Sequence, residues 1–116
     1  MTKNKLISVQ DDELLNKVLS REIGNDELEV CEVYSGKEGL AMICEQDPIL
    51  VILDPLVPEM DGFTILQELK SNDKTKDIPV IVITILAGEE DMKKFMDLGV
   101  KEYKDANFNV RYRTES

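Results

Sequence analysis

The sequence predicts an α/β protein built on a parallel sheet, and three observations carry that prediction. Short β-branched runs alternate with longer segments whose apolar residues recur at helical spacing. Two of the runs, over 49–53 and 79–84, are almost wholly apolar, the pattern of strands covered on both faces. The 116 residues suffice for one domain, so strands and helices must share one core.

Each element follows in order. Leu6-Ile7-Ser8-Val9 reads as a first strand and runs directly into Asp11-Asp12-Glu13. Leu14, Leu15, Val18, Leu19 and Ile23 then fall at helical spacing, with Gly24 as a stop. Residues 28–34 alternate apolar and acidic, as a half-covered strand does. Residues 36–46 form a helix with Leu40, Ile43 and Cys44 on one side, its first turn weakened by Gly36 and Gly39. The apolar run 49–53 ends on Asp54, followed by a loop holding Pro55, Pro58 and Gly62. A third helix places Phe63, Leu66 and Leu69 inward, and 72–77 is a polar linker. The strand over 79–84 ends on Thr84. A helix over 89–98 has an acidic start and sets Met92, Phe95 and Met96 on one face before Gly99. Residues 101–106 make a short, polar fifth strand. Strands alternating with helices require right-handed crossovers and helices on both faces.

Composition removes several functions. Asp plus Glu number 24 against 14 Lys plus Arg, a net charge of −10, so direct nucleic-acid binding is not expected. No apolar run is long enough for a membrane span, and the opening apolar stretch is too brief for a signal peptide, so a cytoplasmic location is expected. There is no histidine, which excludes histidine-based nucleophilic catalysis and leaves Cys31 and Cys44 without company for a zinc site. The two cysteines read most simply as buried thiols.

Parallel sheets carry their functional groups past the carboxyl ends of the strands, near the point where strand order reverses. That rule singles out Asp11, Asp12 and Glu13, Asp54, and Thr84. If Asp11, Asp12 and Asp54 converge, two charges about 4 Å apart cost on the order of 4 kcal/mol at an effective dielectric of 20. The cluster then needs a raised pKa or a cation, and oxygen ligands with room for water suit Mg²⁺. An aspartate beside such a cation can attack phosphorus. Asp11 or Asp12 could instead simply cap the first helix, and Thr84 could be an ordinary strand threonine.

The residues at these positions resemble the receiver domain of two-component response regulators. The matching stretches are residues 7–14, residues 51–63 with Asp54, Pro58 and Met60-Asp61-Gly62-Phe63, residues 78–84, and Gly99-Val100-Lys101-Glu102-Tyr103. The resemblance implies a flavodoxin-like doubly wound five-stranded parallel sheet of order 2-1-3-4-5 and one receiver domain over 1–116. It implies that Asp54 is the phosphoacceptor and a Mg²⁺ ligand, that Asp12 binds Mg²⁺ directly while Asp11 does so through water or shares that work, and that the Leu56 carbonyl is a further ligand. Thr84 would bind the phosphoryl group and couple it to Tyr103, the switch aromatic. The partner would be a sensor histidine kinase or phosphotransfer protein.

Departures from the pattern are specific. The family's Lys-Pro pair falls on Ala106 and Asn107, and Lys104 lies roughly 6–7 Å deeper in a regular strand. Pro55 follows the acceptor, and Ile85 follows Thr84 where the family prefers a small residue. Leu56 and Leu86 stand where the family flanks its hydrolytic water. The last helix is expected to be missing or truncated, because 109–116 lack an apolar stripe; the face left open would favour a partner or a homodimer. These departures keep open a pseudo-receiver that acts as an interaction module without phosphorylation. A phosphohydrolase lacks its general acid, because Leu56 occupies that position.

Overall fold

Strands and helices alternate strictly in the computed structural model, which describes residues 4–84 and 88–105. In chain order they are β1 (Asn4–Val9), α1 (Glu13–Ile23), β2 (Leu28–Val33), α2 (Gly36–Gln46), β3 (Leu50–Leu53), α3 (Gly62–Ser71), β4 (Val80–Thr84), α4 (Glu89–Asp97) and β5 (Glu102–Asp105). The strands form one parallel sheet of order β2-β1-β3-β4-β5, as expected. Strand order reverses at β1, which lies between β2 and β3, so the carboxyl ends of β1 and β3 flank the switch point. Among the described residues no helix is long and apolar enough to cross a membrane.

Among the described residues, the two faces of the sheet carry cores of unequal size. Ile7, Val9, Val51, Leu53, Val80 and Val82 pack with Ile43 of α2, Ile65, Leu66 and Leu69 of α3, and Phe95 of α4 into one large core. On the opposite face, among the described residues, the buried apolar set is Leu6, Ile52 and Ile83, with Leu19 and Ile23 of α1 partly covering them. The apolar run 49–53 shortens by one residue, because Ile49 stays outside β3 with half of its surface in solvent.

Four helix-face or burial expectations are corrected. In α1 the buried residue is Asn16, and the inward stripe runs Asn16, Leu19, Ile23, so Leu14 (72% exposed) and Val18 (40%) fall on the outer side. In α2 the buried positions are Gly36, Gly39 and Ile43, which turns Cys44 to solvent. Cys31 is half-buried on β2, and burial followed by the neighbouring Glu29 carboxylate pushes its thiol pKa up, so neither cysteine is deeply buried. In α4 only Phe95 points inward; its ring meets Phe63 at 5.6 Å and Tyr103 at 5.7 Å, and Met92 and Met96 stay exposed.

The glycines read as helix-weakening have a packing role. A Cβ on Gly39 would stand 2.8 Å from Val9 Cγ2, and one on Gly36 only 1.9 Å from the Met60 carbonyl oxygen. Their lack of a side chain lets α2 lie directly on β1 and on the loop before α3, which outweighs the loss of helix propensity.

Candidate functional site

The site is assembled from the ends of β1, β3, β4 and β5. Past β1, Asp12 adopts extended backbone and caps α1, its Oδ1 accepting from the Leu15 N–H at 3.0 Å. Asp11 and Asp12 are both exposed. The Asp54 N–H donates to the Val9 carbonyl at 2.9 Å, which ties the end of β3 to the end of β1. Asp54 is half-buried, and its Oδ1 accepts from the Leu56 N–H at 2.9 Å. Burial pushes its pKa up and the Leu56 hydrogen bond opposes this, with the fields of Asp11 and Asp12 adding to the rise.

The loop after Asp54 is braced from two sides. The Gly62 N–H donates to the Pro55 carbonyl at 3.0 Å, and a Cβ on Gly62 would stand 2.4 Å from Pro55 Cα. The Gly36 N–H donates to the Pro58 carbonyl at 2.9 Å. Asp61 caps α3 with both oxygens, accepting from the Thr64 N–H at 2.9 Å and its hydroxyl at 3.0 Å. Between them Glu59 is held at φ 72°, a left-handed conformation that costs a residue with a Cβ roughly 1–2 kcal/mol. Glu59→Asn, which tolerates this geometry better, is expected to stabilise the fold by about 0.5 kcal/mol. A urea midpoint unchanged or lowered would contradict that expectation.

Thr84, at the end of β4, is 1% exposed. It lines a cavity of about 170 Å³ together with Pro55, Leu56, Phe63, Phe95, Tyr103 and the carboxylates Asp61 and Asp91. Tyr103 lies on β5 beside Val82 and is partly buried; burial, then Asp91, raises its pKa. The fold therefore brings Thr84, Tyr103 and Leu56 to one cavity beside Asp54. The carboxylates are less tightly gathered than expected. Among the described residues no three His, Cys, Asp or Glu side chains come together closely enough to hold a metal ion by themselves. The N-cap geometry of Asp12 aims one of its oxygens at α1, which accounts for part of the difference.

Lys104 pairs with Ile83 in the β4–β5 register, and its ammonium lies 3.5 Å from the Glu102 carboxylate. Ile85, Leu86, Ala106, Asn107 and the expected region of the last helix lie outside the described residues. Sequence reasoning passed over Asp91 and the buried Ser8, Gln10 and Asn16. For Gln10 a signal existed: a polar residue with the full length of an amide side chain directly follows an apolar strand.

Comparison with known proteins agrees with this geometry. The family profile of the response regulator receiver domain matches residues 6–109. Among curated relatives, the DNA-binding dual master transcriptional regulator RpaA of Synechocystis is 29% identical over 106 residues, covering 91% of this chain and 44% of that protein. Response regulator PleD of Caulobacter vibrioides is 31% identical over 99 residues, covering 85% and 22%. The chain thus spans less than half the length of either relative. The crystal structure of the phosphorylated cyanobacterial phytochrome response regulator RcpA superposes with a TM-score of 0.80 at 28% identity, covering 90% of this chain and 81% of that one. The Mn²⁺-bound form of response regulator Rcp1 shares the fold with a TM-score of 0.80 at 24% identity, covering 88% and 80%. With the β2-β1-β3-β4-β5 sheet, an acid at the switch point and a profile match over almost its whole length, the chain belongs to the response regulator receiver domain family of two-component signalling.

Proposed function

We propose that Asp54 is the phosphoacceptor of this receiver and that the whole chain acts as one switch unit. The donor would be the phosphohistidine of a histidine kinase or phosphotransfer protein. The observation that carries the reading is the placement of Asp54: a half-buried carboxylate at the sheet's switch point, beside the cavity shared by Thr84 and Tyr103. In the transfer an Asp54 oxygen attacks phosphorus and forms an acyl phosphate. The P–N bond breaks, its electron pair stays on the imidazole nitrogen, and solvent supplies any proton the imidazole takes up. The Thr84 hydroxyl would donate to a phosphoryl oxygen, and Tyr103, which already borders the cavity, would change its orientation in response. This is a signalling transfer, with no metabolite turned over.

The donor set fits Mg²⁺. Asp12, Asp54 and the Leu56 carbonyl would offer only hard oxygen, and Asp11 would act through water. A magnesium ion keeps several waters and needs only one or two carboxylates, so a closed cage of three is not required. Such an ion would offset charge on the carboxylates and phosphoryl oxygens. Incubating the protein with acetyl phosphate and Mg²⁺ should add one phosphoryl group to the intact mass, mapped to Asp54. An unchanged mass, with acetyl phosphate shown to be active on another receiver, would favour the interaction-module reading.

Leu56 sets the lifetime of that product. Hydrolysis of an acyl phosphate needs a water in line with phosphorus, and the half-exposed Leu56 side chain at the cavity has no group to orient one. Leu56→Asn is expected to speed dephosphorylation about tenfold, a barrier change of about 1.4 kcal/mol. The check is the decay of the phosphorylated mass with time; equal rates in parent and variant would refute the role.

A further inference from the structure

We infer that Ser8, Gln10 and Asn16 enclose an internal water-binding site between β1 and α1, beneath the acidic edge. All three side chains are 0% exposed. The Ser8 hydroxyl, both polar atoms of the Gln10 amide and the Asn16 Oδ1 have no protein partner. Buried polar atoms are almost always hydrogen-bonded, so four such atoms in one region call for a common explanation.

Their placement supplies it. Side chains alternate along β1, so Ser8 and Gln10 share the face of Leu6, which packs under Leu19 and Ile23 of α1. Asn16 leads that same stripe of α1, one turn before Leu19, and α1 packs against β2, the strand paired with β1. A single carbonyl joins the two amide residues: Val33 O accepts from the Gln10 backbone N–H at 2.9 Å and from the Asn16 Nδ2 at 3.3 Å. Exchanging the oxygen and nitrogen of the Gln10 amide still leaves one donor and one acceptor to satisfy, so the inference does not depend on that assignment.

The chemistry of the lining selects the occupant. It offers amide oxygens that only accept, an amide nitrogen that only donates, and a hydroxyl that does both. Water matches this set, because it donates twice and accepts twice. A metal cation would need carboxylates, and these three residues bring none. An apolar molecule would leave every one of the polar atoms unpartnered.

The test uses the intact chain, labelled with ¹⁵N. Cross-relaxation between water and the side-chain NH₂ protons of Gln10 and Asn16 is expected, with the sign of a water held for longer than nanoseconds. A cross-peak joining the two amides directly, with none to water, would overturn the inference. So would the sign of freely exchanging solvent. Gln10→Leu and Asn16→Leu each leave the other amide facing an apolar side chain, whereas the double variant removes both amides together and leaves only the Ser8 hydroxyl of the polar lining. The double variant should therefore melt above the sum of the two single losses, and additive losses would count against the site. If these variants fail to fold, the water signals of the parent chain decide alone.

Discussion

Asp54→Asn should abolish phosphoryl uptake from acetyl phosphate and, without divalent cations, raise Tm by about 4 °C. The first effect follows from chemistry, because a carboxamide cannot attack phosphorus as a carboxylate does. The second follows from charge. Asp54 is half-buried, and both burial and the fields of Asp11 and Asp12 disfavour its ionised form. Asparagine keeps the shape, and its side-chain oxygen can still accept from the Leu56 N–H, while the repulsion disappears. Functional sites that hold such unfavourable groups commonly gain about 1 kcal/mol when these are removed, which gives the Tm rise for a domain of this length. Residual phosphorylation of the variant would displace Asp54 from its role. A lowered Tm would refute the electrostatic account and leave the acceptor role standing.

Gly36→Ala carries the largest expected loss of stability, about 3 kcal/mol or a Tm about 12 °C lower. The added carbon would stand 1.9 Å from the Met60 carbonyl oxygen and 2.8 Å from Ile65 Cδ1. Helix propensity alone predicts the opposite sign, because alanine is better than glycine within a helix by about 1 kcal/mol. The measurement therefore decides between propensity and packing. The same displacement would push on the loop braced by the Gly36–Pro58 hydrogen bond, so the phosphorylation rate should fall with stability. Gly88→Ala is the control: the nearest atom to its Cβ would be Asp91 Oδ2 at 3.9 Å, and Tm should move little. Equal effects at the two glycines would show that the close approach of α2 is not what Gly36 provides.

The strand-end positions of Asp54 and Thr84 were legible because each closes an apolar run, and a polar group at that point stands out from its surroundings. The alternation of elements was legible for the same reason. Helix faces were harder to read. In α1 the sequence offers more apolar residues than one stripe can hold, and only packing against the sheet selects Leu19 and Ile23 over Leu14 and Val18. A buried Asn16 has no apolar signature at all. The spacing of the carboxylates was also beyond the sequence, because it depends on how Asp12 turns to start α1. The cavity at Thr84 joins a loop, two strands, α3 and α4, and no local pattern reports a distance between such remote segments.

The Asp12 carboxylate that caps α1 also belongs to the proposed cation edge, and thermodynamic reciprocity then constrains both roles. An N-cap of this kind is worth about 1 kcal/mol to its helix. A cation that drew the capping oxygen away from Leu15 would bind about fivefold more weakly for that cost. One that engaged the other oxygen and left the cap in place would avoid it, and would tighten the start of α1 by mass action. Ion occupancy at the proposed site would thereby be transmitted to α1, which packs over the smaller of the two apolar cores.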